Sequence, residues 1–126
     1  MTTMQEIFGE PISIYTRAQA IEDGTLIDLT EWASADKGFI GGFRCPVAVT
    51  RAVWADLERA PALQDIRGRA HDLLFMAWLA ARRGGGETRF DVLMQVGRSK
   101  RQSYKLVAGP GDDGEPVITI MKPDED

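Results

Sequence analysis

The residues of this chain that could do covalent or metal chemistry are few and far apart. Cys45 and His71 are its single cysteine and single histidine. A catalytic thiol needs a cationic or basic neighbour to form thiolate. Cys45 has no histidine near it in sequence and precedes Pro46, so it reads as a small buried residue. His71 stands beside Asp72 in a helical stretch, where adjacent side chains diverge by about 100° and cannot align as a dyad. It reads as a structural or surface histidine. Gly109, Gly111 and Gly114 satisfy the G-x-G-x-x-G spacing of dinucleotide sites. That motif cradles a pyrophosphate only between a strand and a helix N-terminus. Here a strand-like run follows, Pro110 lacks an amide donor, and Asp112 and Asp113 would repel phosphate, so a plain turn is expected. Asp112, Asp113 and Glu115 together offer fewer oxygen ligands than a calcium or magnesium site normally takes. No metal and no cofactor is expected, no catalytic residue can be nominated, and a non-enzymatic role is favoured over an enzymatic one.

Recognition chemistry is better represented. Arg98, Lys100, Arg101 and Lys105, with Tyr104 among them, form the one concentrated cationic stretch. Such a cluster at a hairpin tip is either a solvated turn or a contact for phosphate or for an acidic protein. The glycine-rich stretch from Gly38 to Gly42 sets Phe39 and Phe43 beside flexible backbone, where they either fold back into the core or meet a ligand. A third candidate is Tyr15, Thr16 and Arg17, at the junction between a strand and a short helix, a place where an enzyme could hold a phosphate or nucleotide.

The elements that must position these groups follow from periodicity. "ISIYTRAQAIEDGTLIDLT", residues 12–30, alternates around Ile12 and Ile14, passes Thr16 as an N-cap, and runs through a helix of two turns from Arg17. Gly24 closes that helix, and the chain enters the apolar run of Leu26, Ile27 and Leu29. A short helix is expected over Glu31 to Asp36, capped by Asp28 or Thr30. Another is expected over "RAVWADLERA", capped by Thr50 and ended by Pro61. The clearest helix runs from about Asp65 to Arg83, with Ile66, Ala70, Leu73, Leu74, Ala77, Ala80 and Ala81 at helical spacing. Phe75, Met76, Trp78 and Leu79 make its second half apolar nearly all round. Arg82 and Arg83 suit its negative end, and Gly84 to Gly86 stop it. Beyond them the period becomes two: Phe90, Val92, Met94 and Val96 share a face, as do Tyr104, Leu106 and Ala108, and "EPVITIM" is β-branched. A three-stranded antiparallel meander results, with a basic first connection and an acidic second.

The expected fold is therefore α+β: one small domain over residues 1–126, its central helix packed on a mainly antiparallel sheet that includes the C-terminal meander. About 1–10 and 122–126 are expected to fray. A chain of 126 residues with 44% apolar and 27% charged residues can bury one core and is far from disorder-prone composition. The net charge of −4 disfavours nucleic acid as a general partner without forbidding a local contact. A single cysteine excludes an intramolecular disulfide. The longest apolar run, Leu73 to Ala81, is too short to span a bilayer, and "MTTMQEIFGEP" has no secretory pattern. A cytoplasmic protein without membrane contact is expected.

Three phrases, "ISIYTRAQAIEDGTLIDLT", "FRCPVAVTRAVW" and "GPGDDGEPVITIMKPDED", resemble an uncharacterised family of small proteins carried by bacterial phages, plasmids and integrated mobile elements. The resemblance spans nearly the whole chain from Pro11. It implies an accessory protein of a mobile element, of the kind that serves host takeover, defence evasion or copy control, and it transfers no catalytic residue. Three functions remain in view. One is a non-enzymatic protein that binds a host or phage protein or a ribonucleoprotein, an anti-defence inhibitor being one form. Another is a small nucleotide- or phosphate-handling transferase. The third is a direct nucleic-acid binder.

Overall fold

A computed structural model describes residues 15–34, 42–59 and 65–125. The sheet is built outward from two buried strands. β1 (Leu26–Asp28) and β2 (Val47–Thr50) are antiparallel neighbours, and β2 lies parallel to the last strand, β5 (Pro116–Met121). β3 (Glu87–Val96) and β4 (Ser99–Pro110) complete the meander, giving the order β1-β2-β5-β4-β3. The α+β fold and the antiparallel meander agree with the sequence. β2 was not anticipated. Its run Val47, Ala48 and Val49 is buried on both faces, so it shows no alternation, and at four residues it is too short to announce itself.

Among the described residues, four helices pack against this sheet. α1 (Arg17–Glu22) starts at Thr16, whose hydroxyl accepts from the Gln19 amide while the Gln19 side chain accepts from the Thr16 amide, a capping box. It ends before Gly24, which has φ +83° and lies under the Arg51 guanidinium. A side chain here would be strained and would also meet that guanidinium. α2 is a single turn, Thr30–Ala33, shorter than expected, with Asp28 accepting from the Thr30 amide and hydroxyl. α3 (Arg51–Glu58) is capped by Thr50 as expected, and it ends two residues short of Ala60. Pro61 itself lies outside the described residues.

α4 (Ile66–Ala81), capped by Asp65, is the long helix. Ala70, Leu73, Leu74, Ala77 and Ala80 are buried as its spacing requires, and they meet Phe90, Val92, Tyr104, Leu106 and Ile120 from the sheet in one core. α4 lies chiefly over β3. The strand proposed at Ile12 and Ile14 lies outside the described residues. The C-terminal residues Lys122 to Glu125 make specific contacts. The Glu125 carboxylate accepts from the Thr50 hydroxyl at 2.7 Å and from the Lys122 amide at 2.8 Å, which ties the tail to the start of α3.

Candidate functional site

The β3–β4 hairpin forms one side of the molecule. Its turn is Gly97–Arg98, with Gly97 at φ +60° and Arg98 at negative φ, the glycine-first pattern of tight hairpins. β3 is the outermost strand, and no other described strand pairs with its far side. The Ala108 amide donates to the Gly86 carbonyl at 2.8 Å, so that pair is a hydrogen-bonded one. With the register Glu87↔Val107 to Leu93↔Arg101, the backbone of Thr88, Phe90 and Val92 must then point at β4. The amides and carbonyls of Glu87, Arg89, Asp91 and Leu93 point outward. The Arg89 carbonyl confirms this parity, because Arg83 Nη2 reaches it from the end of α4 at 3.2 Å.

Next to this edge, α4 and β3 enclose an open groove of about 860 Å³. Phe75, Met76 and Leu79 form its apolar wall on the helix, Leu93 closes it from the strand, and Asp72, Arg83, Arg89, Asp91 and Arg101 rim it. Leu93 is 78% exposed and Leu79 38%, large apolar surface for a small protein. On the other side of Leu93 a second recess of about 710 Å³ runs toward the start of α4, past Lys100, Gln95 and His71. The edge strand is gripped from within by Arg69, a 4% exposed guanidinium that donates to the carbonyls of Asp56, Leu57 and Gln95.

The cationic cluster is brought to this site only in part. Arg98, Lys100 and Arg101 are exposed at the hairpin end. Lys100 and Arg101 belong to β4 itself and not to a loose connection, and alternation sends them to opposite faces. Arg101 stands 3.9 Å from Asp91, and Lys100 lines the second recess. Lys105 has to be separated from them. It is 8% exposed, lies four residues down the strand, and pairs with Glu87 at 3.7 Å. Phe43 lies inside the molecule: its amide donates to the Ala33 carbonyl at 2.7 Å and its ring is in the core. Phe39 lies outside the described residues.

Tyr15, Thr16 and Arg17 are turned to structural use. The Arg17 and Ala18 amides donate to the Asp112 carboxylate at 2.8 and 3.0 Å, so the acidic turn fills the helix start where a phosphate would sit. The Arg17 guanidinium donates to the Thr119 hydroxyl and the Ile118 carbonyl. Tyr15 donates to the Asp23 carboxylate and accepts from the Thr25 hydroxyl at 3.1 Å. Cys45 is half-buried, which pushes its thiol above the ordinary value. His71 is exposed, 3.7 Å from Asp72 and stacked on Phe75. Among the described residues no three His, Cys, Asp or Glu side chains come together as a metal site.

Sequence reading overlooked one polar node. Asp56 of α3, 4% exposed, pairs with Lys122 and accepts from the Tyr104 hydroxyl at 2.8 Å. Burial, and then the neighbouring Asp56, raises the Tyr104 hydroxyl well above the ordinary tyrosine range. This node joins helix, meander and tail, with Asp56 and Tyr104 buried and Lys122 partly exposed. It also missed the groove, although a signal was present: Phe75 and Leu79 extend the apolar surface of α4 beyond its core stripe, and Leu93 interrupts the polar face of β3.

The chain belongs to a family of unknown function, DUF6573, which matches residues 4–126. No curated protein and no solved structure matches it. No helix among the described residues is long and apolar enough to cross a membrane.

Proposed function

We propose that this is a non-enzymatic binding protein whose working surface is the cationic end of the β3–β4 hairpin. One observation carries the reading. Exposed cationic side chains at Arg98, Lys100 and Arg101 stand at that end, with exposed Leu93 and the recess past Lys100 and Gln95 next to it. Apolar anchors encircled by charge are what protein recognition uses, the anchors for affinity and the charges for orientation and encounter. The partner that fits is an acidic surface of a host or phage protein or of a ribonucleoprotein in the cytoplasm. The resemblance to proteins of mobile elements supports an accessory role there, with an anti-defence inhibitor as its most concrete form.

The test is capture from host lysate, with and without nuclease, by the wild-type chain and by a variant with Arg98, Lys100 and Arg101 all changed to Glu. Partner retention should fall by orders of magnitude in the variant and survive nuclease, while the melting temperature stays near wild type because exposed charges contribute little to stability. Equal retention by the folded triple variant would remove the hairpin end from the interface. Loss of the partner on nuclease treatment would favour direct nucleic-acid binding, with the salt dependence that backbone phosphate contacts impose.

A further inference from the structure

We infer that β3 pairs antiparallel with β3 of a second copy of this chain, about a two-fold axis at Phe90, joining two five-stranded sheets into one. This does not depend on what the hairpin end binds. A ten-residue outer strand without proline is a ready template for another strand, and soluble proteins cover or blunt such edges. The identity of the occupant follows from charge. Outward backbone at Glu87, Arg89, Asp91 and Leu93 allows only registers in which odd-numbered residues oppose odd-numbered ones. With the axis at Phe90, Arg89 lies opposite Asp91 of the second copy, and Asp91 opposite its Arg89. A two-residue slip of the partner in one direction sets Arg89 against Arg89 and Glu87 against Asp91. A slip the other way sets Asp91 against Asp91. Opposite charges across strands stabilise the pairing and like charges oppose it. An axis at Thr88 would also set Arg89 against Glu87, but it overlaps only residues 87–89 of the strand, whereas the axis at Phe90 overlaps residues 87–93 and is the favoured register.

The helix layer repeats the complementarity. A two-fold axis perpendicular to the sheet keeps both α4 helices on one face, antiparallel to each other. The groove stripe of α4 begins at Asp72, continues through Phe75, Met76 and Leu79, and ends at Arg83. Antiparallel apposition covers the apolar middle and sets Asp72 against the Arg83 end of the other copy. In the pair the Arg89 carbonyl accepts from the Asp91 amide of the second copy, so Arg83 leaves that carbonyl for the acidic end of the facing helix.

Mass by light scattering and sedimentation over a micromolar to millimolar series tests this. The wild-type chain should approach twice its 13.9 kDa. Arg89→Asp alone and Asp91→Arg alone should each weaken dimerisation at least tenfold, because each sets like charges across the axis. The double swap should restore it, and an equimolar mixture of the two single variants should give a heterodimer. Asp91→Pro, which removes an outward amide at an edge where proline is tolerated, should leave a folded monomer. A wild-type monomer throughout the series, or a dimer indifferent to these variants, would overturn the inference. So would a foreign strand held on β3 by a monomeric chain. Arg98→Glu with Lys100→Glu should leave the dimer unchanged, so a failed dimer and a failed partner contact are told apart.

Discussion

Asp56 connects three parts of the chain that are far apart in sequence, and its neighbours decide what its loss costs. Asp56→Ala would leave the Lys122 ammonium and the Tyr104 hydroxyl without their acceptor. Removing one partner from a buried pair typically costs about 3–5 kcal/mol, and the partial exposure of Lys122 puts the expectation at the lower end. Urea unfolding measures it. Tyr104→Phe removes one charge-assisted bond and should cost about 1.5–3 kcal/mol at neutral pH. The pH dependence has a definite sign. The folded chain holds the Tyr104 proton more tightly than the unfolded chain does, so this contribution is complete below the unfolded value near 10 and declines above it. Wild type and Tyr104→Phe should therefore converge by about 1.4 kcal/mol per pH unit above about 10. An equal gap at pH 7 and pH 11 would show that Tyr104 is not protected as its surroundings require. None of this was legible in the sequence, because Asp56, Tyr104 and Lys122 are joined only by the sheet order. The Cys45 and His71 readings needed no long-range contact, and they agree with the half-buried thiol and the exposed imidazole.

At the scale of elements, α4 carries the fold. Its i, i+3, i+4 stripe was readable because sixteen residues sample the helical period more than four times. Leu74→Ala should cost about 2–5 kcal/mol, and Leu74→Asp should abolish cooperative unfolding, since a carboxylate on the inner face has no partner and no water there. A soluble, sharply melting Leu74→Asp chain would show that α4 is not central. The meander was equally legible from its period of two. β2 was not, since a short strand buried on both faces carries no period at all. The hairpin end was legible as charge but not as shape. Only the strand register shows that Lys100 and Arg101 diverge and that Lys105 lies back toward Glu87. The contact of Glu125 with the hydroxyl of Thr50 was not legible, because the charges of the tail look solvated in sequence.

For the whole molecule, the question is what covers the outer side of β3. In the two-fold pair the two cationic hairpin ends lie at opposite extremes of the continuous sheet, about 50 Å apart at the usual strand rise. Such a dimer presents two equivalent contacts and gains avidity on a repetitive or dimeric partner without any new interaction. Residue-resolved amide exchange along β3, followed as chain concentration rises, tests the edge most directly. At low concentration the outward amides of Arg89, Asp91 and Leu93 should exchange quickly and the inward amides of Phe90 and Val92 slowly. At high concentration the amides of Arg89 and Asp91 should become protected together, at the concentration where the mass doubles. Outward amides that stay fast at every concentration, or that are already protected in the monomer, would contradict an open, self-complementary edge.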